Sequence, residues 1–167
     1  MGVEIERKFT VRADFCPQSA GTEMAQGYLS RDPQRTVRVR LAGGRGYLTV
    51  KGETRGMVRA EYEYEIPPTD ARAMLALCDP PLVEKTRYVV DAAGRRWEVD
   101  VFHGANDGLV VAEVELPSET AEVTLPAWVD REVTGEKRYY NSSLIVHPYH
   151  SWTAEEKSGY PRVPVEK

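Results

Sequence analysis

Apolar and polar residues alternate with a period of two along most of the chain up to residue 116. A strand sends successive side chains to opposite faces, so this pattern predicts a mostly antiparallel β architecture. Turn residues divide it into eight strands, over residues 3–11, 24–30, 36–42, 46–51, 58–66, 84–90, 95–102 and 109–116. The segments AGGRG at 42–46, DAAG at 91–94 and HGANDG at 103–108 carry the glycine, asparagine or aspartate that tight reversals need. Sequential strands are therefore expected to pair as hairpins.

The alternation breaks at PPTDARAMLALCDPP, residues 67–81, which predicts a short helix. Thr69 is the expected N-cap, Ala71, Met74, Leu75 and Cys78 share one face, and Pro80-Pro81 end it. A weak helical stretch is expected after Pro117, and another within KRYYNSSLIVH before Pro148. Without internal repeats or a low-complexity linker, the chain reads as one α+β domain over residues 1–148. Residues 149–167 lack periodicity and read as a loosely ordered tail.

Composition narrows the class. At 167 residues and 41% hydrophobic content the chain can bury one ordinary core. A net charge of −4 argues against a general nucleic-acid binder. The charged N-terminus and the lack of an apolar run of about 18 residues argue against a signal peptide or membrane helix, so a cytoplasmic protein is expected. Cys16 and Cys78 have no CxxC spacing and read as reduced thiols.

The charges matter more by position than by sum. Glu4, Glu6 and Lys8 share one face of the first strand. Arg38 and Arg40 share a face of the third, Glu61, Glu63 and Glu65 of the fifth, and Lys85 and Arg87 of the sixth. Glu98 and Asp100 flank Val99, Glu113 and Glu115 flank Val114, and Lys51 ends YLTVK. Any one such face is adequately explained as the wet side of a half-buried strand. Whole faces of a single sign on neighbouring strands would repel unless something lies between them. A closed eight-stranded barrel, its charged faces turned into a shared lumen and its apolar faces covered by a few flanking helices, resolves the conflict. Buried charges need partners, and a phosphate chain together with a divalent cation satisfies both signs.

These residues resemble the CYTH superfamily, also called triphosphate tunnel metalloenzymes, whose signature ExExK corresponds here to Glu4, Glu6 and Lys8. QGYL around Tyr28, VRVR, TVKG, RAEYEYEI, EKTRY, WEVDVFHG, VVAEVEL and EVTGEKRYYN follow in matching order over about residues 3–146. The resemblance implies a tunnel of eight antiparallel strands and Mg2+- or Mn2+-dependent chemistry on triphosphates. The chain looks most like the short bacterial inorganic triphosphatases. It further implies Glu4, Glu6, Glu113 and Glu115 as metal ligands, with Glu61 and Glu63 as ligands or as positioners of basic residues. Arg38, Arg40, Lys51, Lys85, Arg87 and Lys137 would contact phosphate. Lys8 would do so as well, or act with Tyr28 as a general base, with metal-activated water as the alternative.

The expected partner is a small-molecule triphosphate, with neither nucleic acid nor membrane; a homodimer stays open. Rival readings are a class IV adenylate cyclase, a thiamine or nucleoside triphosphatase, and a non-catalytic polyphosphate-binding module. His103, His147 and His150 are isolated and do not read as metal ligands, AGGRG reads as a turn and not a P-loop, and Trp97, Trp128 and Trp152 read as packing residues.

Overall fold

In the computed structural model, which describes residues 2–158, the period-two segments form one antiparallel sheet that closes on itself. Its strands are β1 (Val3–Val11), β2 (Thr22–Ser30), β3 (Thr36–Ala42), β4 (Arg45–Lys51), β5 (Val58–Ile66), β6 (Val83–Ala92), β7 (Arg95–Phe102), β8 (Val110–Glu115) and β9 (Val129–Glu132). Their order around the sheet is β5-β4-β3-β2-β6-β7-β8-β1-β9, and β5 also pairs with β1. That last pairing makes an eight-stranded barrel, mostly β and flanked by short helices. Val3, Glu4 and Ile5 face Ala60, Arg59 and Val58. The far part of β1 is left free for β9, which pairs at Phe9 and Val11.

Hairpins join sequential strands as the turn signals predict. The β3–β4 turn places both Gly43 (φ 56°) and Gly44 (φ 85°) in the left-handed region, which matches strand twist in a two-residue connection.

Two expectations about local structure are corrected. No helix forms between Pro117 and β9; the chain runs irregularly there before it enters β9. The free edge of β1 offers backbone partners that a weak helical propensity does not outweigh. Thr69 is not a cap. Helix α1 (Pro68–Leu75) is entered from Pro67 with no side-chain capping bond, its proline start already set to helical φ.

The outer face of the barrel carries two apolar clusters. Phe9, Trp97, Val99, Ala112 and Val114 pack under Phe15, Val123 and Trp128. Val39, Leu41 and Leu48 pack under Ala71 and Leu75 of α1 and under Cys78 in the turn after it. Gly27 permits that approach, since a Cβ there would stand 2.7 Å from the Cβ of Cys78.

A third cluster differs. Val83 pairs with Gln26, Phe102 with Lys85 and Val111 with Asp100, and residues directly opposite on antiparallel strands share a face. These apolar side chains therefore point into the barrel with the charged ones. They close one end of it against Val133, Tyr139, Leu144 and Trp152 of the C-terminal segment.

That segment contains a 3-10 turn at Lys137–Tyr139, α2 (Ser143–Val146), a second 3-10 turn at Tyr149–Ser151 and α3 (Ala154–Ser158). Residues 149–158 are thus not a loose tail. Trp152 is buried against Tyr139 and Tyr149, and its indole N–H donates to the His147 carbonyl at 2.9 Å. The rest of the expected tail, 159–167, lies outside the described residues. Cys16 and Cys78 are both free. Among the described residues no helix is long and apolar enough to cross a membrane.

Because Trp152 anchors this end of the barrel, Trp152→Ala should lower unfolding stability by about 3 kcal/mol in urea titration. A loose tail would give a change within ~0.5 kcal/mol.

Candidate functional site

The lumen is a cavity of about 570 Å³ whose walls come from alternate residues of all eight barrel strands and from Tyr140, Asn141 and Ser142. Strand alternation accounts for this directly. β1 contributes Glu4, Glu6 and Lys8, β3 Arg38 and Arg40, β6 Lys85 and Arg87, and β8 Glu113 and Glu115.

Deepest lies an ion-pair cluster around Asp100. Lys85 Nζ approaches Asp100 Oδ2 at 2.8 Å, and the Arg87 guanidinium donates to both carboxylate oxygens at 2.7 and 2.9 Å. Burial opposes ionisation of Asp100, but Lys85 and Arg87 outweigh it and hold the carboxyl far below its usual range. Burial, reinforced by Arg87 and Arg40 and opposed by Asp100, lowers Lys85 to about 7.

Among the described residues Arg40 makes no ion pair, and its Nε donates to the neutral Gln26 Oε1 at 2.9 Å. It is nonetheless buried, and burial together with the nearby Arg38 and Arg87 pushes its pKa below the ordinary arginine value. A buried cation crowded by two others has the electrostatics of an anion site.

The acids are unevenly satisfied. Lys8 Nζ pairs with Glu113 at 3.0 Å, and Lys51 Nζ reaches Glu4 at 2.9 Å and Glu61 at 3.6 Å. Burial would raise Glu113, yet Lys8 and Arg87 bring it down to about 2. Burial would also raise Glu4, yet Lys51 holds it below its usual value. Glu6 and Glu115 stand directly opposite each other on β1 and β8 and make no ion pair among the described residues. Burial, with Glu113 and Glu4 adding repulsion, pushes Glu6 well above the usual carboxyl range. Glu115 shifts up for a similar reason, burial first and then Glu4 and Glu98.

Carboxylates crowded in this way want a proton or a cation between them. Buried Glu4 adds an oxygen, Oε1, that faces the Lys51 ammonium at 2.9 Å. Hard oxygen donors of this kind fit a divalent cation such as Mg2+ or Mn2+. Among the described residues no three acidic, histidine or cysteine side chains already converge as a metal cage, so loading a cation would draw Glu4 from Lys51.

The CYTH domain model matches residues 2–149. The chain belongs to the CYTH family. It is 50% identical over 151 residues to an inorganic triphosphatase of Acetivibrio thermocellus, covering 89% of this chain and 97% of the relative. An inorganic triphosphatase of Nitrosomonas europaea is 37% identical over 147 residues, covering 86% and 97%. A solved structure of an inorganic triphosphatase superposes with a TM-score of 0.63 at 36% identity, covering 86% of this chain and 94% of that one. A protein from Pyrococcus horikoshii, 19% identical with a TM-score of 0.53, covers 70% and 80% and shares the fold.

In this CYTH protein the lumen gathers Glu4, Glu6, Lys8, Tyr28, Arg38, Arg40, Lys51, Glu61, Glu63, Lys85, Arg87, Glu113 and Glu115. Lys137 does not join them. It is exposed, while Tyr139 two residues on is buried. Glu63 accepts from Thr49 at 2.9 Å and pairs with Arg38 at 3.3 Å, which makes it a positioner of Arg38. No hydrogen bond joins Lys8 to Tyr28. The Tyr28 hydroxyl accepts from Gln26 Nε2 at 3.3 Å, and Lys8 lies on Glu113 with Tyr140 beneath its ammonium. Burial would lower Lys8, but Glu113 and Glu6 raise it above the usual lysine value, so it stays a cation.

Among the inward-facing residues to which the sequence assigns no role are Asp100, Gln26, Arg59 and Asn141. Asp100, Gln26 and Arg59 each continue an inward i, i+2 series, with Glu98, Tyr28 and Glu61 respectively, so alternation could have found them. Asn141 lies on an irregular segment, where no local pattern marks it.

The crowding of Glu6 has a pH signature. Its folded-state pKa lies above the ordinary value of 4.5, so ionising it costs stability progressively as pH rises from 4.5 toward the folded value. In chelator, Glu6→Gln should therefore unfold at higher urea than the parent at pH 8, with the difference shrinking toward pH 4.5. Parallel stability curves across that range would contradict the assignment.

Proposed function

We propose that this CYTH protein hydrolyses inorganic tripolyphosphate to pyrophosphate and phosphate in the barrel lumen, with Mg2+ or Mn2+ as cofactor. The observation that carries the reading is Arg40, a buried guanidinium with no acidic partner among the described residues and with Arg38 and Arg87 beside it. The two bacterial relatives named inorganic triphosphatase support the choice of substrate.

Arg38, Arg40, Lys85 and Arg87 would bind the phosphate oxygens, arginine in its bidentate fashion, and Lys51 would join once released from Glu4. Their work is to hold the chain in line and to balance charge as the anhydride P–O bond breaks. Glu4, Glu6, Glu113 and Glu115 would hold the cation. When bound, that cation supplies charge neutralisation and lowers the pKa of its water. Lys8, kept protonated by Glu113, serves as a phosphate contact and not as a base. Tyr28 is then a wall residue. We place the protein in the cytoplasm, in keeping with its two free thiols. Every residue invoked comes from one chain.

A substrate screen tests the reading. Tripolyphosphate, ATP, GTP and thiamine triphosphate are compared with Mg2+, with Mn2+ and with chelator. Phosphate release should be fastest from tripolyphosphate and should vanish with chelator. Cyclic AMP from ATP with no phosphate from tripolyphosphate would instead establish a cyclase, and tight binding without turnover a binding module. Arg40→Ala should raise KM for tripolyphosphate about 30-fold, the equivalent of ~2 kcal/mol. An unchanged KM would remove Arg40 from the site.

A further inference from the structure

Asn141 lies outside the charge pattern of the strands, yet it touches the lumen cations from the C-terminal segment. Its Oδ1 accepts from Lys85 Nζ at 2.8 Å and from Gln26 Nε2 at 2.8 Å. Gln26 in turn accepts from Arg40 Nε at 2.9 Å. Arginine and protonated lysine only donate, so with Lys85 charged the orientation of both amides is fixed from the two ends of this chain of bonds. Arg40 requires the oxygen of Gln26, which turns the Gln26 amide nitrogen toward Asn141; Lys85 requires the oxygen of Asn141.

One carbonyl oxygen from the C-terminal segment thus holds Lys85 of β6 and, through Gln26 of β2, Arg40 of β3. Its own position is set by the apolar plug, since Tyr139 and Leu144 on either side are buried among Val83, Phe102 and Val111. Lys85 also meets Asp100 at 2.8 Å and lies 5.5 Å from the Phe102 ring. Without Asn141 its ammonium would be drawn fully onto Asp100, and Gln26 would be free to turn away from Arg40.

We propose that Asn141 is a positioning residue that fixes Lys85 and Arg40 for binding the triphosphate, and that the C-terminal segment is in this sense part of the substrate site. The inference rests on the tripolyphosphatase reading. Asn141 acts through the two cations and makes no contact with the reacting atoms.

The test is steady-state hydrolysis of tripolyphosphate by the full chain with its divalent cation. It compares the parent with Asn141→Leu, which keeps the volume and removes the acceptor, with Lys85→Met, and with the double variant. Asn141→Leu should raise KM about tenfold and change kcat by less than about threefold, the loss of one charge-assisted bond. In the Lys85→Met background the same change should add clearly less than in the parent, about threefold, because only the branch to Arg40 through Gln26 is left to lose. Thermal unfolding confirms that each variant is folded, and Asn141→Ala is read in place of Asn141→Leu if the latter is not. A KM within about twofold of the parent, or a full effect retained without Lys85, would overturn the proposal. A parent enzyme that leaves tripolyphosphate intact would instead overturn the functional reading on which it rests.

Discussion

Asp100 binds Lys85 at 2.8 Å and grips Arg87 with both oxygens, all inside a lumen where it retains only 2% exposure. Taking three charges out of water costs several kcal/mol per ion, and an apolar core of the same volume would hold a barrel together at least as well. Stability alone does not account for such a cluster. Its effect is geometric: one carboxylate holds two cations from β6 at fixed positions while leaving the charge of Arg40 unmatched. Removing Asp100 would leave those cations buried without a counter-charge, so the arrangement of the lumen depends on it.

From that cluster the lumen separates by sign. Cations crowd at Arg38, Arg40 and Arg87, and acids crowd where Glu6 faces Glu115 across β1 and β8. Between them, Lys8–Glu113, Lys51–Glu4 and Arg38–Glu63 are already paired. Arg40, Glu6 and Glu115 are destabilised by their like neighbours and would be relieved by a ligand of the opposite charge. An anion alone would relieve the arginines and worsen the acids. A phosphate chain carrying a divalent cation relieves both, which is why the proposed substrate and cofactor belong together.

Much of this was legible in the sequence, because period-two alternation both forms a strand and decides which side chains face the lumen. Glu4, Glu6, Arg38, Arg40, Lys85, Arg87, Glu113 and Glu115 all arrive by that rule. What lay outside it was decided by long-range contacts. β9 has only four residues and exists because β5 leaves part of β1 unpaired. The segment after Pro148 has no periodicity, yet Trp152 is buried because Tyr139 and Tyr149 stand ready to cover it. Lys137 matches the motif by position but faces solvent, while Asn141, four residues on, reaches the lumen. Strand alternation says nothing about either.

The central claim is that the lumen's charges are completed by a triphosphate and a divalent cation together. A crystal structure with tripolyphosphate and Mn2+, read by the anomalous signal of the metal, tests it most directly. The account predicts phosphate oxygens bonded to Arg38, Arg40 and Arg87, and a Mn2+ peak among Glu4, Glu6, Glu113 and Glu115. Phosphate bound outside the barrel, or metal coordinated away from those four glutamates, would contradict it.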